Sequence, residues 1–442
     1  MQRTLIGKLG GQVGQTVSIS GWVDVRRDHG KLLFLNIRDR SGKVQVICAT
    51  NHPEALAEGQ KLKPESVVRI EGVVNERPAN MRTEGVNGNI EIEAVSIAVL
   101  AQAQELPFDM SASLNLDTYL DYLPLTMRTE RGRAIFGVQA TAIGAFRKAL
   151  MKEQFTEFQS PALVGGDAEG GAAAFAVDYY YGEKAYLATS PQLYKQIMVG
   201  VFERVFSTPK VFRGEKHSTT RHLSEYSTLD FEMGFITDHR DVMAMLERVV
   251  RAMAEAVVSG HGDAFKLLGT KPPLVNAEPF PIMKLREAQK TLGVAEEPDL
   301  EPEHERAICE WAKKEKGSDF IFITHYPVSK RPFYTYEDED DKGFTKSFDL
   351  LFRGLEITTG GQRVHDYDTL VQKALDKGLD PEKFAFYLQA FKYGMPPHGG
   401  SATGLERFTA RMLNLPNVKE ATLFPRDLNR IDTLLSQDTG KE

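Results

Sequence analysis

The chain predicts an α+β protein: a small N-terminal β-barrel followed by a larger domain in which strands alternate with amphipathic helices. Three observations carry this. Residues 14–100 hold short period-two runs interrupted by one helical segment. Beyond residue 130, long helical patterns appear at Arg131 to Gln154 and at 240–259. Between those helices, Tyr226, Thr228, Asp230, Glu232 and Gly234 alternate with Leu229, Phe231, Met233 and Phe235. Such alternation is a strand with one apolar face on a core and one polar face turned elsewhere.

At 442 residues, with 42% hydrophobic and 26% charged residues, the composition is that of a soluble enzyme of two or three domains. Two distant cysteines, Cys48 and Cys309, argue against a zinc site or a disulfide framework and fit a cytoplasmic, reducing setting. No apolar run approaches a membrane span and the N-terminus lacks a signal-like core. Net charge is −7, yet residues 1–100 hold 13 Lys/Arg against 11 Asp/Glu. Within Trp22 to Lys43, Arg26, Arg27, Lys31, Arg38, Arg40 and Lys43 outnumber the acids, a pattern that suits phosphate but also an ordinary solvated face.

In order, TVSISGWVDV, KLLFLNIRD and KVQVICA read as strands, followed by a helix near 53–61 and the strands SVVRIEGVV and NIEIEAVSIAVL. Five strands with a helix between the third and fourth is the order of an OB-fold, a barrel that binds single-stranded nucleic acid in many proteins. Residues 1–104 are assigned to this barrel, 105–130, punctuated by Pro and polar residues, to a hinge, and 131–442 to the second domain. In the helix from Arg131, Ile135, Val138, Ala142, Ile143, Phe146 and Leu150 form the apolar face. GGDAEGGAAAF reads as a Gly/Ala-rich loop. In YLATSPQLYKQIMVGVF, Ser190 is the expected N-cap and Pro191 the first helical residue, so Gln192, Lys195 and Gln196 share one face near the helix's positive end. The stretch Val211–Glu215 reads as a strand pairing with the one after it. That pair presents Arg213, Glu215, Tyr226, Thr228 and Asp230 together, with Lys216, His217, Arg221 and His222 in the loop between. Cations suit a polyphosphate, an aromatic ring a base, and a buried carboxylate an ammonium group. The acidic run Glu337 to Asp341 reads as a solvated loop, and SFDLLFRGLEITTGGQRVHDYD as a further strand region.

Arg213-x-Glu215, a basic loop, then Glu225-Tyr226-x-x-Leu229-Asp230 resembles motif 2 of class II aminoacyl-tRNA synthetases, in its aspartyl form. Other segments resemble the same family in the same order. The helix from Arg131 running into FTEFQSPAL is similar to motif 1, without the Gly expected before Phe155. The segment Glu356…Thr359-Gly360-Gly361-Gln362-Arg363 resembles the Glu…Ser…Gly-x-Arg element. FYLQAFKYGMPPHGGSATGLERFTARMLNLPNVKEATLFPRD is similar to motif 3, with Ala402 where the family has Gly. GWV…RRDHGKLLFLNIRDRSGKVQV resembles the OB-fold anticodon-binding domain of aspartyl, asparaginyl and lysyl enzymes. No large insertion separates motifs 2 and 3, so the likeness is to the compact archaeal and eukaryotic form.

The resemblance implies a class II catalytic domain of antiparallel sheet flanked by helices, a homodimer formed through motif 1, and ATP, Mg²⁺, L-aspartate and tRNA-Asp as cofactor and partners. It implies that Arg213 and Arg407 are catalytic. Glu169, Ser190, Gln192, Lys195, Asp230 and Arg363 would bind aspartate: Glu169 and Asp230 the ammonium, Lys195 and Arg363 the side-chain carboxylate. Arg213, Glu215, Arg221, His222, Tyr226, Glu356 and Arg407 would bind ATP, and Glu356 with Thr359 would hold the metal ion. Arg26, Arg27, Phe34 and Gln45 would read the anticodon, although Phe34 also reads as a barrel-core aromatic. Asparaginyl enzymes lack the Lys at 195 and tend to carry Glu at 230. The alternatives are therefore an asparaginyl-tRNA synthetase, an ammonia-dependent asparagine synthetase of the same core, or a non-catalytic tRNA- or ssDNA-binding paralogue. Asp24, standing where strict archaeal enzymes have a bulky aromatic, and the Arg77-Pro78 turn bear on whether tRNA-Asn is also charged.

Overall fold

A computed structural model describes residues 2–166, 173–216 and 219–431. The chain forms two compact units, Met1–Ser113 and Leu114–Glu442.

In the first unit, strands β1 (Thr16–Asp28), β2 (Leu32–Asp39), β3 (Gly42–Ala49), β4 (Val67–Glu76) and β5 (Ile90–Ala101) close a barrel in the order β1-β2-β3-β5-β4. Helix α1 (Pro53–Lys61) lies between β3 and β4 in sequence, as expected. Alternate residues such as Ile19, Val23, Leu33, Leu35, Ile37, Val44, Val46, Ile70 and Ile92 fill the interior. A bulge between Val23 and Val25 inverts the parity of β1, so Val25 and Arg27 face outward opposite Asn36 and Phe34. Half of the basic stripe is paired with acids: Arg38 is buried against Glu65 and Asp24, Lys43 also bonds Asp24, and Arg26 bonds Asp28.

The second unit begins within the segment read as a hinge, where α2 (Leu116–Asp121) and α3 (Leu123–Thr126) are helical. Asn115 caps α2 by accepting from the Thr118 amide. Helix α4 (Glu130–Lys152), capped by Thr129, buries Ile135, Val138, Ala142, Phe146 and Leu150, while Ile143 stays at the edge of the core. Short strands β6 (Thr156–Glu157), β7 (Leu163–Val164), β8 (Ala176–Asp178) and β9 (Lys184–Leu187) lead to α5 (Gln192–Phe202) and β10 (Arg204–Ser207). Pro191 is the residue before α5 and not its first turn; the Ser190 hydroxyl still accepts from the Gln192 amide at 3.1 Å. Next come β11 (Lys210–Phe212), β12 (Glu225–Gly234), α6 (His239–Gly260), α7 (Gly262–Leu267), β13 (Ile282–Lys284), α8 (Leu285–Leu292), α9 (Pro302–Lys316) and β14 (Phe320–Thr324). Strands β15 (Ser347–Phe352) and β16 (Glu356–Arg363), helices α10 (Tyr367–Asp376) and α11 (Ala385–Lys392), β17 (His398–Gly404) and α12 (Leu405–Met412) complete it.

The main sheet runs β13-β14-β15-β16-β17-β12-β10-β6, with β11 paired to β12 off that path. Its body is antiparallel, as the resemblance implies, but β13 and β6 join parallel at the two edges. Leu229 and Phe231 of β12, with Phe348, Leu350 and Phe352 of β15, pack against α4 and α6. Full burial of each such side chain contributes roughly 1.5–3 kcal/mol. The expected apolar register ends one residue early. Strand β12 stops at Gly234, and Phe235 turns into a left-handed backbone (φ 57°) and out to solvent. The acidic run is a loop but not simply solvated, since Glu337 pairs with Lys373, Asp338 with His325, Glu339 with Lys346 and Asp341 with Lys284.

Candidate active site

The sheet face opposite that core carries the polar residues of β12, β15, β16 and β17 in lateral rows. One row is Asp230, Ala402, Thr359 and Asp349; the next is Glu232, Gly400, Gly361 and Ser347. Above them lies a pocket of about 380 Å³ lined by Ser190, Gln192, Arg213, Glu215, Arg221, His222, Tyr226, Asp230, Glu356, Thr359, Arg363 and Arg407, among others. Lys195 lies at its base through Asp230. Apart from Glu169, which falls outside the described residues, the structure thus gathers every residue named for aspartate, ATP and metal into one place.

The amino-acid end is a buried charge cluster. Lys195 Nζ donates to Asp230 Oδ2 at 3.0 Å and to the Ser401 carbonyl at 3.2 Å, and stands 3.4 Å from Glu232 Oε2. Arg363 Nε donates to Glu232 Oε1 at 2.9 Å, and its Nη2 to the Gly400 carbonyl and to Gln192 Oε1. The two cations therefore flank Glu232, a residue that sequence reasoning did not place in the site although it shares the parity of Asp230. With Asp230 they make a set of two positive and two negative groups, all at most 1% exposed except Arg363 at 7%. Burial alone would push the Glu232 pKa up; Arg363, Lys195 and the Arg363 hydrogen bond overcome it and hold the pKa below the usual carboxylate value. Behind them, Gln192 Nε2 donates to Gln196 Oε1 at 3.0 Å. Gln196 meets His398 Nε2 at 2.9 Å, and His398 Nδ1 lies 2.9 Å from the Pro396 carbonyl. Burial lowers the His398 pKa to about 4. A neutral ring with Nδ1 donating and Nε2 accepting satisfies both contacts.

At the other end, the Arg213 guanidinium lies 5.7 Å from the Tyr226 ring centroid. Ser227 donates its amide to Glu406, which thereby fixes β12 beside Tyr226. Arg407 Nη1 donates to the Glu356 carbonyl at 3.0 Å and lies 3.4 Å from Glu356 Oε2. Thr359 Oγ1 donates to Glu356 Oε1 at 2.9 Å. Burial would raise the Glu356 pKa, but Arg407 and the Thr359 hydrogen bond bring it below its ordinary value.

Asp349, also missed from sequence, neighbours Thr359 across the sheet and pairs with Arg331 at 2.9 Å. Its carboxylate is buried with the Tyr326 hydroxyl beside it, and burial with the nearby Glu356 charge raises its pKa to about 6. Among the described residues no cluster of three or more His, Cys, Asp or Glu is arranged to hold a metal. Two carboxylates and a hydroxyl are instead a partial oxygen set of the kind Mg²⁺ takes, the remaining positions going to water and phosphate. Asp349, Glu356 and Thr359 therefore fit the ion.

On the barrel, Phe34 points outward, half-exposed, while Leu33 and Leu35 face the core, so it is not a core aromatic. Phe34 lies opposite Arg27, with His29 edge-on to its ring at 5.7 Å. Gln45 shares this face, 3.4 Å from Arg27 Nη2 and bonded to Glu91. Arg26 does not join them: past the bulge it has the opposite parity, opposite Leu35, and its guanidinium bonds Asp28.

Comparison with known proteins bears on both units. Residues 17–100 match the OB-fold nucleic acid binding domain and residues 115–428 match tRNA synthetases class II (D, K and N). The chain is 46% identical to an aspartate–tRNA(Asp/Asn) ligase of Thermus thermophilus, covering 97% of this chain and 99% of the relative. It is 38% identical to an aspartate–tRNA(Asp) ligase of Thermococcus kodakarensis, covering 95% and 96%. Its structure is similar to that of an asparaginyl-tRNA synthetase from Pyrococcus horikoshii complexed with asparaginyl-adenylate, with a TM-score of 0.89 and 32% identity over 98% of this chain and 99% of that one. With the charge cluster, the cation-lined pocket and the barrel all present, the chain belongs to the class II tRNA synthetases of the D, K and N group.

Proposed function

We propose that this chain is an aspartate–tRNA ligase that activates L-aspartate with ATP, releases pyrophosphate, and transfers aspartate to the 3′-terminal adenosine of tRNA-Asp and of tRNA-Asn. The observation that carries the amino-acid assignment is the convergence of Lys195 and Arg363 on one buried spot beside a pocket rich in arginine. Both cations already face Asp230 and Glu232, but Arg363 spends only its Nε and Nη2 donors there and lines the pocket, so its remaining edge offers an entering side-chain carboxylate a charged, two-donor partner that a neutral amide uses less well. That argues for aspartate over asparagine, as does the aspartate named for the relatives from Thermus and Thermococcus.

In the first step the substrate α-carboxylate attacks the α-phosphorus, so the protein's task is placement and charge neutralisation. Asp230, held by Lys195 and Thr228, would accept the α-ammonium, and Gln192, oriented through Gln196, would present its Oε1 beside it. Arg213 would follow the α-phosphate into the five-coordinate arrangement. Arg221, His222 and Arg407 would bind the outer phosphates, and Tyr226 with Glu215 the adenine. Mg²⁺, when bound by Asp349, Glu356 and Thr359, supplies further charge neutralisation on the phosphates. No side-chain general base is required, because the nucleophile is already an anion.

The outward face with Arg27, Phe34 and Gln45 suits unstacked bases, one ring for stacking and polar edges beside it. Charging of tRNA-Asn is supported by the dual name of the Thermus relative and by Asp24, whose short side chain is drawn to Lys43 and Arg38. Strand β6 closes one edge of the main sheet directly after α4, which suits pairing of two copies there. Buried free thiols at Cys48 and Cys309 suit a reducing, cytoplasmic setting; no helix among the described residues is long and apolar enough to cross a membrane. ATP–pyrophosphate exchange with aspartate and with asparagine, followed by aminoacylation of purified tRNA-Asp and tRNA-Asn, tests the reading. Exchange driven by asparagine and not by aspartate would overturn it.

A further inference from the structure

Glu305 lies outside every segment that resembles a synthetase motif. It is carried by α9, and its side chain is only 7% exposed. Its two oxygens serve two elements of the pocket. Oε1 accepts from Arg221 Nη2 at 2.6 Å, and Oε2 accepts from the Glu356 backbone amide at 3.1 Å. Arg221 belongs to the basic loop between β11 and β12, whereas Glu356 opens β16 and reaches both Thr359 and Arg407. One carboxylate from a separate helix thus joins the loop cation to the backbone of Glu356, the residue whose own carboxylate fits the metal.

We propose that Glu305 is a positioning residue for the outer phosphates of ATP, acting by fixing Arg221 and the start of β16. The proposal rests on the reading of the pocket as an ATP-dependent, aspartate-activating site. A guanidinium has five donors, and Glu305 engages only its Nη2 edge, leaving the rest of a pocket-lining group for an anion. Without that anchor a long, rotamer-rich side chain on a loop must be ordered by the nucleotide itself, which weakens ATP binding. Glutamine keeps the shape but not the function: one of its two ends is a donor and cannot accept from both Arg221 and the Glu356 amide. Aspartate binding, at the far end of the pocket around Lys195 and Arg363, shares none of these contacts.

The test is aspartate-dependent ATP–pyrophosphate exchange by the full chain, with KM for ATP and for aspartate measured separately in E305Q, R221M and E305Q/R221M. From the cost of ordering one such side chain, E305Q is expected to raise KM for ATP roughly five- to tenfold and to leave KM for aspartate within about twofold. In the R221M background E305Q should add no more than about a further twofold, because the two residues act as one unit. An unchanged or lower KM for ATP in folded E305Q, a parallel rise in both KM values, or multiplying effects in the double variant would each overturn the proposal. If E305Q is not recovered folded, E305D carries the same comparison, since it keeps the charge but shortens the reach to Arg221. Wild-type protein runs alongside: absence of exchange with aspartate there would overturn the functional reading instead.

Discussion

The balanced charges around Lys195 make a quantitative demand on its replacement. Lys195→Met keeps the length of the side chain and removes its charge, its hydrogen bonds to Asp230 and the Ser401 carbonyl, and its attraction to Glu232. Two buried carboxylates would then share the single cation Arg363. Removing one partner from a buried ion pair costs about 3–5 kcal/mol, mostly because the remaining charge is left uncompensated. The full chain contains two tryptophans. Trp311 lies in the catalytic unit and Trp22 in the barrel, so denaturation of a Trp22→Phe background reports the catalytic unit by fluorescence. K195M should lower its unfolding free energy by an amount in that range. Adding Glu232→Gln restores the balance, and the double variant should be more stable than the sum of the two single losses predicts, by about 0.5–3 kcal/mol. Activity follows a different rule: both K195M and the double variant lack a cation for the substrate side chain, so aspartate-dependent exchange should fall at least about a hundredfold in each. Strict additivity of the two stability changes, or a K195M variant within about 1 kcal/mol of wild type, would refute the charge-balance account.

Arg213→Ala should reduce aspartate-dependent exchange by roughly a hundred- to a thousandfold, the loss typical of one preorganised group at developing charge; near-normal exchange would remove Arg213 from the chemistry. Phe34→Ala should leave exchange intact and raise KM for tRNA roughly five- to a hundredfold, as expected for loss of one stacking platform; equal tRNA kinetics would return Phe34 to a purely structural role. His398 folds with its pKa lowered to about 4, so as pH falls from about 6.5 the unfolded chain takes a proton that the folded chain refuses. Its contribution to stability is complete above about 6.5 and roughly 3 kcal/mol is lost by pH 4; H398Q should flatten that slope, and an unchanged slope would exclude His398 as its source. Gly400→Ala would set a Cβ 2.1 Å from the Phe231 carbonyl and 2.2 Å from Glu232 Oε2, so it should destabilise the catalytic unit by about 1–3 kcal/mol and raise KM for aspartate; a fully active, equally stable variant would contradict the packing.

Local patterning made most of the elements legible. Alternation located every barrel strand and β12, and helical spacing located α4, α5 and α6 within a residue or two. The misses have identifiable physical causes. Helix α5 starts one residue later than the Ser-Pro pair suggested, since the serine hydroxyl reaches the Gln192 amide from two residues away. Arg26 and Arg27 read alike as sequence, yet the bulge at Val23/Val25 sends only Arg27 to the face of Phe34. Glu232 was visible as a polar position, but its role depends on α5 and β16, which no local pattern brings together. Asp349 is embedded in SFDLLF, a run that reads as plain apolar strand, and becomes significant only because β15 lies beside Thr359. Glu305 sits in a charged helix, PEHERAICEWAKKEK, where one carboxylate among many gives no sign that it reaches Arg221.

The charge cluster depends on bare backbone as much as on charged groups. Arg363 and Glu232 lie on strands that flank β17, and their side chains meet over it, with Arg363 also donating to the Gly400 carbonyl. That crossing requires nothing to project from β17 at this row, and a Cβ on Gly400 would occupy the space taken by the Glu232 carboxylate. One row further along the strand, between Asp230 and Thr359, the chain carries Ala402, which lines the pocket with its methyl group. The floor therefore changes from open backbone, where buried charges must approach within hydrogen-bond distance, to a methyl surface, where a planar base gains from contact. The methyl of Ala402 thus stands between Asp230 and Thr359, one row away from the crossing of Glu232 and Arg363. Gly400 leaves that crossing clear, and the proposed selection of an acidic side chain depends on it.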